Sequence, residues 1–252
     1  MLPEVSGRAL ALNEPAKHAL AAVEPRGTTI HFTFGTSVMM DFVKNWLHFA
    51  QKAGLTPLLV GAADLTLLKA CSEMRVPAAG IIPELDRKPK QAEVYEMKSN
   101  WGYIRHHKSD FLEMGLVKVA FLWELLAVGF SVLISDLDVV WLNGHWQRWM
   151  THSDPTHPAV PEAALIAAAD VLVTTDGLDV RQDARGGLAG IIELNTGVVY
   201  FRQTVGAKAM VQSWRKAMLH QKGRPDLTEN VNDQSLFNQV RRVEPDETSV
   251  GL

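Results

Sequence analysis

The sequence predicts an α/β protein with a mainly parallel sheet flanked by helices, and two patterns lead to this prediction. Over residues 28–82, short apolar or β-branched segments alternate with segments of helical periodicity, in the order strand, helix, strand, helix, strand. Such alternation is typical of parallel strands joined by right-handed helical crossovers. Residues 130–142, FSVLISDLDVVWL, then form an apolar run of the kind expected for a strand that is buried on both faces.

The individual elements follow from local patterns along the chain. Residues 1–27 are rich in Ala, Glu and Pro without a strong period, which predicts a tether or a loosely packed helix. Gly35, Thr36 and Ser37 predict a turn and a helix cap after the first strand. Strands are predicted at residues 28–34, 56–60, 78–82, 130–142, 171–174 and 197–202, and helices at residues 37–53, 65–74, 110–128, 145–150, 205–222 and 232–240.

The composition excludes several classes of protein. The 252 residues, 47% of them hydrophobic, are enough for one large domain or two small ones with an ample core. The net charge of −3 gives no reason to expect nucleic acid or an anionic membrane as a partner. A single cysteine, Cys71, excludes an internal disulfide and a cysteine-cluster zinc site. No apolar run reaches transmembrane length and the N-terminus lacks a signal-peptide pattern, so we expect no membrane span in this chain.

Two carboxylates, Asp136 and Asp138, interrupt the apolar run at residues 130–142. Residues two apart in an extended backbone point to the same side, so both carboxylates can face one ligand. Ligands of open α/β sheets bind outside the carboxyl ends of the strands, where we expect this pair to lie. Because buried carboxylates need a cation or strong donors, we predict a divalent cation at this position.

Six segments of the chain together match one known family. They are FTFG at residues 32–35 with the helix after it, LLVGAAD at 58–64, GFSVLISDLDVVWL at 129–142, TTDG at 174–177, NTGVVYFR at 195–202 and NDQSLFN at 232–238. In this order they resemble the nucleotide-diphospho-sugar transferase domain of the family 77 glycosyltransferases of plants and algae. The resemblance implies a GT-A type fold with a Rossmann-like sheet. It also implies that residues 28–252 form a single GT-A domain without its C-terminal segment, after the tether at residues 1–27.

The activity implied by the resemblance is a metal-dependent, retaining glycosyl transfer. The donor would be a nucleotide-diphosphate sugar, most simply a UDP-sugar carrying arabinose, xylose or galactose, and the acceptor a glycan or glycoprotein. Enzymes of this family usually work in the Golgi lumen behind an N-terminal anchor, so the resemblance also implies a Golgi location. The sequence leaves the sugar, the acceptor and the linkage open.

By resemblance, the metal is Mn²⁺ or Mg²⁺ and Asp138 is its direct ligand. Asp136 would also ligate the metal or hold the ribose, and Leu137 lies between them in the donor site. A nucleoside diphosphate leaves poorly until its charge is neutralised, and a cation that bridges the phosphates achieves this. Such a cation needs only one or two protein carboxylates because phosphates and waters complete its shell.

The resemblance assigns further residues to the donor. Lys118, eighteen positions before Asp136, would place a cation on the diphosphate or the sugar, and a solvated lysine is the alternative. Asp64 would hold the base or ribose, or else cap a helix. Asp176 would be a third carboxylate at the same edge, or a turn residue. The other donor-site residues implied are Thr33, Phe34, Gly35, Asn195, Thr196 and Gly197.

Asp233 and Gln234 are the candidate catalytic residues. In the resembling retaining enzymes this Asp–Gln pair reaches the reaction centre. The alternative is the first turn of a helix, where an acid suits the helix dipole. The sequence leaves open whether either group is a nucleophile or whether the leaving phosphate directs a front-face attack.

The histidines depart from the family pattern. Many such transferases take a third metal ligand, usually His, from near the C-terminus, whereas the last of the nine histidines here is His220. We therefore expect either that the third ligand is absent or that the C-terminal segment is missing.

Two rival functions fit parts of the same pattern. Phosphatases of the haloacid-dehalogenase type also place D-x-D after an apolar strand, and the first Asp would then be a covalent nucleophile. That motif normally lies on the first strand of its domain, whereas here about a hundred residues predicted to be structured, from residue 28 onward, precede it. The non-enzyme alternative is a pseudoenzyme that binds sugar nucleotides without turnover.

Overall fold

The computed structural model describes residues 10–81, 108–146, 163–175, 193–222, 224 and 231–240. The strands are β1 (Leu10–Leu12), β2 (Thr29–Gly35), β3 (Leu58–Ala62), β4 (Ala78–Ile81), β5 (Ser131–Ser135), β6 (Val171–Thr175) and β7 (Leu194–Phe201). The helices are α1 (Glu14–Ala21), α2 (Met40–Lys52), α3 (Leu65–Glu73), α4 (Lys108–Val128), α5 (Ala163–Ala168), α6 (Val205–Gln221) and α7 (Asp233–Val240), and a 3₁₀ turn (Ser37–Met39) precedes α2.

The seven strands form one sheet in the order β1-β4-β3-β2-β5-β7-β6. The central strands β4, β3, β2 and β5 are parallel, while β1 and β7 run the opposite way to their neighbours. Since β6 is antiparallel to β7, it points in the same direction as β5. The predicted α/β architecture, with a mainly parallel sheet flanked by helices, is confirmed.

Two apolar layers cover the two faces of the sheet. The larger layer packs α4 and α6 against alternate residues of β2, among them Ile30, Phe32 and Phe34. The smaller layer packs α2 and α3 around Trp46 and Val60. Both layers follow from the period of two along the strands, because successive residues of a strand face opposite sides of the sheet.

Of the tether and the loosely packed helix predicted for residues 1–27, the structure excludes the tether from Leu10 onward and has a helix, α1, preceded by an unpredicted strand. β1 pairs antiparallel with β4, and α1 follows it with Asn13 as its N-cap. The Asn13 side chain accepts the Ala16 N–H at 2.9 Å and donates to the Val76 carbonyl at 2.8 Å. This segment escapes sequence analysis because a three-residue strand has too few residues to show a period, and its place depends on the free edge of β4.

The strand predicted over residues 130–142 is shorter than expected and ends at Ser135. The Asp136 N–H still donates to the Gly197 carbonyl of β7 at 2.8 Å, but the Val139 N–H turns back to the Asp136 carbonyl at 3.2 Å. Leu137 is buried against the α2 layer, so the apolar residues of this segment continue into a packed turn. The assumption that Asp136 and Asp138 lie on one side of a strand is therefore wrong, although both still reach the same cleft.

Candidate active site

A cleft of about 400 Å³ opens at the carboxyl end of β5. It joins five parts of the chain: the end of β2 with the segment after it, the middle of α4, the turn after β5, the start of β7 and the start of α7. Its volume lies within the usual range of small-ligand pockets, roughly 300–1,000 Å³. The lining residues are Phe34, Val38, Met39, Phe42, Met114, Gly115, Lys118, Asp136, Leu137, Asp138, Thr196, Asn232, Asp233 and Gln234.

Lys118 lies at the floor of the cleft and contacts three acceptors of the protein itself. Its ammonium donates to the Thr196 carbonyl at 2.8 Å and lies 3.4 Å from Asp233 Oδ2 and 3.6 Å from Asp136 Oδ1. It also lies 5.8 Å from the centre of the Trp214 ring. With 3% of the residue exposed, the alternative of a solvated lysine is wrong. Lys118 joins α4, β7, α7 and the turn after β5 at one point.

The charges of the neighbouring carboxylates keep Lys118 protonated. Burial by itself lowers the pKa of the Lys118 ammonium, but the carboxylates of Asp136 and Asp233 outweigh burial and raise the pKa above its ordinary value. The stabilisation linked to the raised pKa of Lys118 is therefore fully present below the ordinary pKa of 10.5, provided that the carboxylates are ionised, and it is lost as the pH rises through the raised value. At neutral pH the site contains a buried cation.

We expect Lys118→Met to lower the free energy of unfolding by about 3 kcal/mol at pH 7, because it leaves Asp136 and Asp233 without their shared cation. Urea denaturation measures this change. Lys222→Met is the matched control, because Lys222 pairs with Glu113 at 3.4 Å but with 45% of its side chain exposed, and such pairs contribute less than about 1 kcal/mol.

The same variant tests the direct donor contact predicted for Lys118. A lysine bound to the diphosphate would make the variant lose affinity for UDP more than for uridine. Equal affinity changes for the two ligands, together with the loss of stability, would show that Lys118 acts only within the protein.

Asp136 lies between Lys118 and the open cleft, with 46% of its side chain exposed. The pKa of the Asp136 carboxyl is raised above its ordinary value, chiefly because the residue is partly buried. The charge of Lys118 lowers this pKa, and the charges of Asp233 and Asp138 raise it. A Cβ at Gly197 would lie 3.1 Å from Asp136 Oδ2, so the glycine lets β7 approach this carboxylate closely. Asp136 and Asp233 share Lys118, and Asp138 adds a third carboxylate, so the described residues that line the cleft carry more negative than positive charge.

The start of α7 and the start of β7 form the opposite wall. Asp233 Oδ2 accepts the Thr196 hydroxyl at 3.4 Å, and Gln234 Oε1 accepts the Thr196 N–H at 3.2 Å. The strand predicted from residue 197 begins earlier, at Leu194, so Asn195 and Thr196 are part of β7, where Asn195 Oδ1 accepts the Gly197 N–H at 2.7 Å. Strand pairing rather than a free loop therefore positions these groups.

The structure brings together some of the predicted site residues and places others elsewhere. Phe34, Lys118, Asp136, Leu137, Asp138, Thr196, Asp233 and Gln234 all line the cleft. Gly35 and Gly197 lie directly behind it, against Leu137 and Asp136 respectively. Thr33 is fully buried within the sheet, and Asp176 lies outside the described residues.

Asp64 serves as a helix cap, which is the alternative that sequence analysis had kept open for it. Its Oδ1 accepts the Leu67 N–H at 2.7 Å at the start of α3, and its Oδ2 accepts the Ser37 N–H at 2.6 Å. The residue is buried, with 4% exposed. Asp64 therefore ties α3 to the segment that carries Val38 and Met39 into the cleft wall.

We expect Asp64→Ala to lower the free energy of unfolding by about 2–3 kcal/mol, because it removes an N-cap and leaves the partly buried N–H of Ser37 without its acceptor. Chemical denaturation measures this value. Glu73→Ala, at an exposed position in the last turn of the same helix, should change it by less than about 0.5 kcal/mol. A small change in the free energy of unfolding of Asp64→Ala would contradict the capping role of Asp64.

Several residues of the site were missed by sequence analysis. Gly115 lies within α4, where a Cβ would lie 2.8 Å from Asp233 Cβ and from Met218 Sδ. A glycine inside a helix was the available signal, since it costs about 1 kcal/mol relative to Ala without a packing reason. The indole of Trp214 donates to the Asp233 carbonyl at 2.8 Å, and Val38 and Phe42 form an exposed apolar rim.

Among the described residues, no three or more His, Cys, Asp or Glu side chains form a metal-binding cluster. In the same part of the chain, no helix is long and apolar enough to cross a bilayer.

Comparison with known proteins assigns the family. The family model of the nucleotide-diphospho-sugar transferases matches residues 53–247. This match covers more than half of the sequence. The fold and this match define a glycosyltransferase domain with a mainly parallel α/β sheet, and the chain belongs to the nucleotide-diphospho-sugar transferase family. The assignment argues against the phosphatase alternative.

Similar proteins are found among plant glycosyltransferases. Arabinosyltransferase XEG113 of Arabidopsis thaliana is 27% identical over 227 residues, which cover 86% of this chain and 29% of that protein. UDP-D-xylose:L-fucose alpha-1,3-D-xylosyltransferase of the same plant is 24% identical over 205 residues, covering 81% of this chain and 50% of that protein. The chain thus spans half or less of the length of these relatives.

Among solved structures, that of the galactosyltransferase LgtC in complex with donor and acceptor sugar analogues is similar, with a TM-score of 0.43 and 12% identity. The match covers 84% of this chain and 70% of that one.

Proposed function

We propose that this chain transfers a sugar from a nucleotide-diphosphate donor to a glycan or glycoprotein acceptor in a metal-dependent, retaining reaction. One observation carries the proposal: the cleft brings two carboxylates, Asp136 and Asp138, into one volume with Asp233 and Gln234. These pairs lie about a hundred residues apart in the sequence, and family membership predicts the same residues for the donor and the reaction centre.

The donor set fits Mn²⁺ or Mg²⁺. Asp136 and Asp138 are hard oxygen donors at the cleft, and with Asp233 they outnumber Lys118, the one basic side chain among the described residues of the lining. This excess charge favours a bound cation, and Mg²⁺ sites commonly use only one or two protein carboxylates plus phosphates. A metal held by Asp136 and Asp138 would supply the positive charge that a departing diphosphate requires.

The remaining residues have separate roles in the proposed reaction. Asp233, held by Lys118 and Thr196, provides a fixed negative charge toward positive charge that develops on the sugar. Gln234, held by the Thr196 N–H, positions the sugar. Preorganised groups of this kind stabilise a transition state without reorganisation during the reaction.

A UDP-pentose is the donor that we propose first. The names of the two Arabidopsis relatives, an arabinosyltransferase and a xylosyltransferase, support this choice. Galactose is the alternative sugar. The relatives also support a Golgi lumen location for the whole protein, since plant enzymes of this family usually work there.

The test is a screen of UDP-arabinose, UDP-xylose and UDP-galactose for hydrolysis with and without Mn²⁺. We expect release of UDP from at least one donor, loss of this activity with EDTA, and its recovery with excess Mn²⁺. Calorimetry with UDP and Mn²⁺ is run beside the screen. Binding without turnover would favour the pseudoenzyme, and hydrolysis of simple phosphate esters would favour the phosphatase.

A further inference from the structure

We propose that Asn238 is a positioning residue whose side-chain amide clamps α7 to the start of β7 and so sets where Asp233 and Gln234 stand in the cleft. The proposal rests on the proposed function for its catalytic consequence. Its structural basis is independent of that function.

The clamp is a set of three hydrogen bonds. Asn238 Oδ1 accepts the Leu194 N–H at 2.9 Å, and Asn238 Nδ2 donates to the Leu194 carbonyl at 2.8 Å. The same Nδ2 donates to the Gln234 carbonyl at 3.0 Å. The amide therefore binds Leu194 as a neighbouring strand would, and both of its ends are used.

The clamp lies close to both halves of the site. Leu194 is two residues before Thr196, whose carbonyl accepts from Lys118 and whose N–H donates to Gln234. Asn238 lies one helical turn after Gln234 on α7. Displacement of α7 along β7 would thus change the distances from Asp233 to Lys118 and to Thr196 together.

Asn238 itself has no direct part in ligand binding. It is buried, with 6% of the residue exposed, and it does not belong to the residues that line the cleft. Its neighbours Leu236 and Phe237 are apolar and buried. Apolar contacts are not directional, so by themselves they do not fix the position of α7 along β7. Directional bonds from a buried amide select one position because any shift leaves polar groups unpaired.

Two variants remove the clamp in different ways. Asn238→Asp keeps the acceptor for Leu194 N–H but turns an oxygen toward two carbonyls, and Asn238→Ala removes all three bonds without repulsion. Gln239→Glu is the matched control, because it makes the same amide-to-carboxylate change at the next, exposed position of α7. Thermal melts establish that each variant is folded.

The kinetic readout separates positioning from a general loss of structure. We expect kcat for donor hydrolysis to fall about 100-fold in Asn238→Ala, because misplacement of reacting groups by about 1 Å has effects of this size. KM for the donor and the affinity for UDP with Mn²⁺ should change by less than about threefold, since Asp136 and Asp138 lie outside the clamp. Unchanged kcat, or a parallel loss of kcat and UDP affinity, would overturn the proposal.

A second readout does not depend on any enzymatic activity. The indole N–H of Trp214 donates to the Asp233 carbonyl, while that of Trp46 donates to Ser135 Oγ from the smaller apolar layer, which does not contain α7. We expect both Asn238 variants to shift the Trp214 indole signal in ¹H–¹⁵N spectra and to leave the Trp46 signal in place; Gln239→Glu should shift neither. An unmoved Trp214 signal would overturn the clamp. A shifted signal in a protein that hydrolyses no nucleotide sugar would support the clamp and contradict the proposed function.

Discussion

Asp233→Asn is expected to lower turnover of the donor sugar by about 100-fold or more, with little change in donor affinity. The substitution keeps the shape of the side chain and an acceptor for the Thr196 hydroxyl, but it removes the negative charge beside Lys118. A positive charge that develops on the sugar would lose its partner only in the transition state, so kcat falls while KM stays nearly constant.

The control for this prediction is Asp41→Asn, the same change at an exposed position in the first turn of α2. Asp41→Asn also removes an acidic residue from the first turn of a helix, which lowers stability by roughly 0.3–1 kcal/mol through the helix dipole. Asp41 is not among the described residues that line the cleft. Steady-state kinetics with the best donor of the screen give the comparison. Near-normal turnover of a folded Asp233→Asn protein would remove Asp233 from the catalytic residues.

Asp138→Ala is expected to abolish the Mn²⁺-dependent part of UDP-sugar binding while the fold survives. Asp138 is exposed at the mouth of the cleft, so its loss leaves the core intact. Loss of an outer-shell partner lowers metal affinity roughly 10–100-fold, and a direct ligand should matter more. We therefore expect the affinity for UDP in the presence of Mn²⁺ to fall roughly 100-fold or more in Asp138→Ala.

Calorimetric titration of UDP with and without Mn²⁺ measures this effect, and Asp41→Ala serves as the matched surface control. Equal affinity of Asp138→Ala and the unchanged protein for UDP in Mn²⁺ would exclude Asp138 as a ligand. A loss that is equally large without Mn²⁺ would instead point to a change in the cleft.

Much of the sheet could be predicted because its signals are local. β2, β3, β4 and α6 lie within two residues of their predicted positions, since β-branched runs, apolar stripes and capping residues act over a few neighbours. β1 could not be predicted, because its position depends on an edge of β4 that lies more than sixty residues further along the chain.

The end of β5 shows the limit of a local pattern most clearly. The apolar run at residues 130–142 indicates one long strand, yet the strand ends at Ser135 and Leu137 packs in a turn beside Gly35. Hydrophobicity specifies that a residue is buried, and it leaves open whether a strand or a turn buries it. Here a turn buries Leu137, which packs against residues of α2.

The sequence by itself determined the family and the identity of the acidic and amide groups that meet in the cleft, because motif residues and their order along the chain are properties of the sequence. Only the tertiary structure decided what each group contacts. Lys118 faces protein acceptors that lie 78 and 115 residues further along the chain, and Asp64 caps a helix. Burial and charge pairing depend on distances across the fold, which no local pattern contains.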